Sequence, residues 1–251
     1  QLVQLLSLSY LRQEKSTATR APGNWGGIII LGKATYNGSG AFGGAGTGNI
    51  EGITASIKTT YGGSTSPDDN DNSGTLKYVR IEFGGFQLAT NQEINGLTMG
   101  GVGRGTTIDY VQCSFINDDA FEWFGGTVNC AHLVSYRGVD DEFDTDNGFS
   151  GSIQFALGVR DPQYADAVTG GESNGFESDN DAAGSANTPQ TAAIFSNLTI
   201  IGPRGNGSTT LPVGEKFEKS FRIRRNSSIS VFNSLIVGWE KGLSIEGAPV
   251  E

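Results

Sequence analysis

Two pairs of adjacent carboxylates, Asp118-Asp119 and Asp140-Asp141, stand 22 residues apart in this chain, and the match continues beyond them. The segment Asp118 to Gly126 (DDAFEWFGG) aligns with Asp140 to Gly148 (DDEFDTDNG), and Phe143 to Asn147 (FDTDN) returns as Phe176 to Asn180 (FESDN). A chain that repeats at a fixed period stacks equivalent positions about 4.8 Å apart along one axis. Stacking puts Glu122, Asp144 and Glu177 in one acidic ladder and the two aspartate pairs in another. Carboxylates that close repel one another unless a cation or a raised pKa relieves them. Oxygen-only ligands in that number point to calcium, with Asp118, Asp119, Asp140, Asp141, Asp144, Asp146, Glu177, Asp179 and Asp181 as its candidate ligands. The segments Asp144 to Gly148 and Glu177 to Asp181 place side-chain oxygens at alternate positions, yet neither has the late bidentate glutamate of an EF-hand. The competing reading is that Asp and Asn here only build solvated turns. The run Pro67 to Gly74 reads as a plain acidic loop.

Paired carboxylates also suit glycoside hydrolysis, which needs two of them about 5 to 10 Å apart. Any acidic stacked repeat meets that spacing, so the match discriminates little. A polysaccharide lyase would add a basic side chain to abstract a proton, for which Arg137 or Arg160 is available. His132 is the single histidine; it lies in a strand pattern and reads as a wall residue. Without a second His or suitably spaced Cys there is no zinc motif, and nucleophilic triads would all need that one imidazole. The glycine strings Gly43 to Gly48 and Gly100 to Gly105 precede no helix, which excludes a phosphate loop and any nucleotide cofactor. Trp25, Trp123, Trp239 and Tyr136 would stack on sugars if they face outward. The basic strand around Arg222, Arg224 and Arg225 is placed to pair with the acidic ladder.

These side chains need a scaffold, and the rest of the sequence supplies one. Short runs alternate apolar and polar residues, as in Tyr78 to Phe83, Leu198 to Ile201 and Ile229 to Val237, and nearly every run ends at Gly, Asn or Asp. Thr75 to Phe83 resembles Thr107 to Phe115 at an offset of 32, a coil enlarged by a loop, and a further insert falls around Asp161 to Gly171. The 22-residue offset places His132-Leu133 against Gln154-Phe155. Coils of 22 to 24 residues, with three short strands and three turns each, specify an all-β right-handed parallel β-helix, a single-domain solenoid; a propeller or sandwich is the structural alternative. Cys113 and Cys130, one coil apart, are stacked core thiols or a disulfide.

The chain of 251 residues has 17 basic and 27 acidic side chains, a net charge of −10 that repels nucleic acid and anionic membrane and favours cations. Its longest apolar run, Gly26 to Gly32, is too short to span a bilayer. Residues 21–251 carry the repeat, and with no cap signal at the last coil they read as a piece of a longer protein. Residues 1–20 are atypical: either a weakly amphipathic capping helix, or a frame-shifted stretch whose other frame would encode a strand.

The segments Trp25 to Lys33 (WGGIIILGK), Leu76 to Phe83, Asp118 to Gly126, Phe143 to Phe149 and Phe176 to Asp181 closely resemble a family of exported Bacteroidota proteins, and the resemblance spans residues 21–251. It implies a pectin-lyase-like β-helix that is secreted or held at the outer membrane or cell surface, in some members as a lipoprotein. Some members are labelled multidrug transporters, which a chain without a spanning segment does not fit. The family carries no established activity or catalytic residues. Composition, ladder and resemblance together lead to the expectation of a carbohydrate-binding, adhesive or structural module with calcium sites, its partner a polysaccharide or cell-surface glycan. The alternative is a polysaccharide lyase or glycoside hydrolase.

Overall fold

The computed structural model describes residues 9–12, 15–90, 92–166, 172–204, 211 and 217–247. Two long parallel sheets run the length of the molecule. The first contains, in order, Ser9–Leu11, Thr75–Glu82, Thr107–Ser114, Cys130–Tyr136, Ser152–Val159 and Ile194–Ile201, ending on Ser230–Phe232 and Leu235–Val237. The second contains Ile28–Leu31, Leu97–Gly100, Phe121–Phe124, Phe143–Asp146, Glu177–Ser178, Lys219–Arg224 and Lys241–Glu246. Each coil gives one strand to each sheet, and every ladder pairing along both is parallel, so the architecture is a parallel β-helix. The coil has two long strands rather than the expected three; turns and irregular chain close its remaining side. No helix occurs among the described residues, and none is long and apolar enough to cross a membrane.

Strict stacking makes the core a set of columns. In the second sheet Phe121 pairs with Leu97 and Phe143, and the rings of Phe121 and Phe143 lie 5.7 Å apart with nearly parallel planes. Phe176 and Phe221 continue the column, 5.2 Å apart. Trp123 is fully buried beside them, against Phe149 at 5.4 Å. In the first sheet Val79, Val111, Leu133, Ala156 and Leu198 stack in register. Cys113 and Cys130 are both buried and free, but they are not stacked on each other: Cys113 pairs with Ser135, and Cys130 lies between Ile108 and Ile153.

The first sheet departs from a plain two-residue alternation. Tyr78, Tyr110, His132, Phe155, Asn197 and Asn233 all have positive φ, between 46° and 60°. One left-handed residue in each coil resets the pleat, so that Leu76, Val79 and Ile81 can all face the core. It also turns this column outward, where Tyr78, Tyr110, His132 and Phe155 stack at 4.9, 4.2 and 5.1 Å. His132 is thus a wall residue as expected, with its Nδ1 2.8 Å from Asp109. Its partner is not the expected one. Ala131 pairs with Gln154 and Leu133 with Ala156, so an extra residue in the turn before Ser152 shifts the register by one and sets Phe155 beside His132. Burial requires this: Leu133 belongs to the core, whereas Phe155 is 49% exposed.

Ser9–Leu11 pairs in parallel with Val79–Ile81, so these three residues of the segment with a helical pattern are strand. The remainder of that reading, for residues 1–8 and 13–14, lies outside the described residues. So do residues 167–171 of the insert expected around Asp161 to Gly171.

A long insertion after Ile28–Leu31 forms small antiparallel pairs, Ser39–Gly40 with Gly44–Ala45 and Gly48–Asn49 with Thr60–Tyr61, and lies along several coils as a strap. Thr35 O accepts from Gly126 N at 2.7 Å, Asp69 O from the Thr127 hydroxyl at 2.7 Å, and Asn37 Nδ2 donates to Asn180 O and Pro189 O at 3.1 Å. Gly125, with φ of 62°, sits so close beneath it that a Cβ would meet Thr35 O at 2.9 Å.

The shifted register has a measurable consequence. Phe143→Ala should lower the unfolding free energy by about 3–5 kcal/mol in chemical denaturation. Phe155→Ala should cost no more than about 1.5 kcal/mol, the worth of an exposed ring stack. Equal losses would mean that Phe155 belongs to the core.

Candidate functional site

The outward face of the second sheet gathers the acidic residues. Within Phe121–Phe124 and Phe143–Asp146 the first and third residues point inward and the second and fourth outward. Glu122 pairs with Asp144, Asp144 with Glu177, and Glu177 with Arg222, so the predicted ladder forms and ends on a guanidinium. Three residues before these positions stand Asp119, Asp141 and Asn174, the same turn on successive coils. Their own bonds tie the turns together: Asp119 Oδ1 accepts from Asp141 N at 3.0 Å, and Asp141 Oδ1 from Asn174 N at 2.5 Å.

These columns border an open polar cavity of about 190 Å³ lined by Asp119, Asp140, Asp141, Asp144, Glu172, Glu177, Arg222 and Arg224. Three groups of carboxylate oxygens lie within 4.8 Å of one another: Asp118, Asp119 and Asp140; Asp119, Glu122 and Asp144; and Asp141, Asp144 and Glu177. Asp144 Oδ1 is buried without a hydrogen-bond partner among the described residues. At the far end the charges are paired. Arg222 lies 3.1 Å from Glu172 and 3.2 Å from Glu177, and Arg224 binds Asp179 at 2.8 Å and also contacts Glu177.

Of the nine expected ligands, Asp118, Asp119, Asp140, Asp141, Asp144 and Glu177 come together, with Glu122 among them. Asp146, Asp179 and Asp181 do not join these groups. Asp146 accepts from Asn147 N at 2.6 Å, and Asp179 is held by Arg224 and Arg225. Asp181 accepts from Ala183 N and Ser185 N and builds its own turn, in which it is buried rather than solvated. The two arginines considered as a lyase base are elsewhere. Arg160 is buried, donating to Glu142 at 3.0 Å and to the carbonyls of Gly138, Val139 and Asn174, and Arg137 is pinned to Asp161. Arg222 and Arg224 are the cations at the cavity. Trp123 faces the core, and Trp25, Trp239 and Tyr136 are part-buried, so none offers the open ring expected for sugar stacking.

A model of the pectate-lyase-like β-helix domain matches residues 14–251. The chain belongs to that family. The match takes in part of the atypical N-terminal segment along with the whole solenoid. No curated protein and no solved structure matches the chain. Family membership fixes the β-helix and leaves the chemistry of this member to its own residues.

Those residues hold protons unusually tightly. Burial first, and the neighbouring carboxylates next, keep Asp118, Asp119, Glu122, Asp140 and Asp144 well above the usual carboxylate range. Burial also raises Asp141 to about 6, against the pull of the Asn174 hydrogen bond, Asp146 to about 7, and Glu177 to about 8. Arginine behaves oppositely. Burial disfavours the Arg224 guanidinium, but its Asp179 hydrogen bond and the charges of Glu177 and Asp179 outweigh that and hold it protonated.

Carboxylates that bind protons more tightly folded than unfolded stabilise the fold below the unfolded value near 4, and lose that contribution as pH rises through the folded values. In chelator the melting temperature should therefore fall as pH is raised from 5 to 8.5, the window set by Asp141, Asp146 and Glu177. A differential scanning fluorimetry series giving a flat or rising curve there would contradict this electrostatic picture.

Proposed function

We propose that this face of the β-helix binds divalent cations, calcium foremost, and through them an acidic polysaccharide, so that the protein acts as a carbohydrate-binding, adhesive or structural module at the cell surface or after secretion. One observation carries the reading: among the described residues the central carboxylates Asp118, Asp119, Glu122, Asp140, Asp141 and Asp144 form no ion pair, while the two nearest arginines are committed at one end of the cavity. A hard oxygen-ligated cation answers the first half of that arrangement. An anionic sugar answers the second, because a uronate can give one carboxylate oxygen to the cation and another to Arg222. The cell-surface or secreted location rests on the exported proteins that the sequence resembles.

A polysaccharide lyase is the second reading, favoured by Arg222 and Arg224 standing beside the acidic row. Its difficulty is the base. Both guanidinium pKa values are raised on balance, Arg222 by Glu177, Glu172 and Glu246 against the opposing effect of burial, and proton abstraction needs the neutral form. For a glycoside hydrolase, the protonated carboxylates could serve as acids, but nothing marks one pair among them.

Calorimetry at neutral pH should show calcium binding with a Kd on the order of micromolar. Asp141→Asn combined with Glu177→Gln should weaken it at least tenfold. Polygalacturonate should be retained by the immobilised protein in calcium and released by chelator, with no rise in ultraviolet absorbance from an unsaturated product. Absence of heat would sink the cation reading, and a steady absorbance rise would replace the binding module with the lyase.

A further inference from the structure

We propose that the acidic row holds a pair of divalent cations bridged by Asp144, rather than a single ion. The inference rests on the cation-binding reading above and specifies what that site takes up.

The geometry is that of two overlapping ligand sets. Asp119, Glu122 and Asp144 form one group, and Asp141, Asp144 and Glu177 the next, each drawn within 4.8 Å, with Asp144 common to both. They belong to successive coils and follow from the register, since Asp144 pairs with Glu122 on one side and Glu177 on the other. A carboxylate has two oxygens and can serve two ions at once. Bridged pairs in two-metal sites sit about 3.5–4 Å apart, close to the coil spacing of about 4.8 Å.

Independent features point to ligands at this place. Asp144 Oδ1, the shared residue's oxygen, is buried with no partner among the described residues, although its neighbours in the turns are tied down by backbone amides. The row is also closed at both ends by an amide in the same turn column. Asn95 stands three residues before Thr98, and Asn174 three before Glu177, where the middle coils carry Asp119 and Asp141. Both asparagines are buried, at 3% and 0% exposure, and each leaves its Oδ1 without a partner among the described residues. Their amide nitrogens reach into the row, Asn95 to Glu122 and Asn174 to Glu177 Oε2 at 3.5 Å. The acidic turns therefore occupy the two coils needed for two ions, with neutral, oxygen-bearing side chains on either side.

Charge agrees. Counting Asp118 and Asp140, the clustered residues make seven carboxylates. Arg222 and Arg224 are shared with Glu172 and Asp179 outside this group, so they leave most of the seven uncompensated once ionised, and two divalent ions offset twice as much of that charge as one.

Equilibrium dialysis against radioactive calcium, with circular dichroism to confirm folding, tests the pair. The wild-type chain should take up at least two ions. Glu122→Gln and Glu177→Gln should each lower the uptake by one, and Asp144→Asn by two. Asp144→Asn removes a repelling charge, so its melting temperature in chelator should equal or exceed that of the wild type, and lost uptake cannot be ascribed to unfolding. Wild-type uptake of one ion, or a loss of one or none in Asp144→Asn, overturns the bridged pair and leaves the single-site reading standing. No uptake at all overturns both.

Discussion

Parallel stacking at a fixed spacing of about 4.8 Å is the constraint on which the molecule depends, because it forces each side chain to sit on its equivalent in the next coil. For apolar residues the arrangement is favourable by itself. Phe121 on Phe143, and Phe176 on Phe221, gain burial and ring stacking together. For charged residues it is costly, and the outward face of the second sheet carries that cost openly, with acid stacked on acid from Glu122 to Glu177 before Arg222 ends the run. A solenoid has no other place for these groups once their register is fixed. Their raised proton affinity and the cation binding proposed for them both follow from one geometric fact.

Much of this is legible in the sequence, because a repeat converts offsets into contacts. The match of Asp118 to Gly126 with Asp140 to Gly148 gives the second-sheet register, and the return of Phe143 to Asn147 at Phe176 extends it across an insertion. What escapes is whatever breaks the period. The single residue that sets Phe155 rather than Gln154 beside His132 lies in a turn, where an added residue leaves no mark on the alternation. The left-handed residue in the long first-sheet strands is hidden in the same way, since Tyr78, Tyr110 and Phe155 are side chains not usually associated with positive φ, and stacking along their column, with His132 between, helps to offset the strain. The two-strand coil escapes because a run of alternating residues says nothing about how many sides it builds.

The site shows the same division. Six of the nine expected ligands converge because they share the repeat, while Asp146, Asp179 and Asp181 fall away through local partners, a following amide, two arginines and a tight turn, that no periodicity encodes. Asn95 and Asn174 carry a signal after all: each stands three residues before its ladder position, as Asp119 and Asp141 do. Arg160 carries none. It sits on the first sheet's side of the coil, yet its guanidinium binds the carbonyls of Gly138, Val139 and Asn174 and so fixes the backbone on which Asp140, Asp141 and Glu177 are mounted.

The strap formed by residues 34–71 changes how such a molecule resists being pulled apart. A bare solenoid is close to one-dimensional, with each coil held only by its neighbours, so tension on a terminus can peel it one turn at a time. Here a segment from the first coil of the second sheet is hydrogen-bonded to Gly126 and Thr127 and, through Asn37, to Asn180 and Pro189 several coils away. Peeling from that end must first tear the strap from all of these coils, so they yield together at a higher force. The acidic row lies on the length so clamped, and a tether anchored there would keep its grip under shear that would unravel an unstrapped helix of the same size.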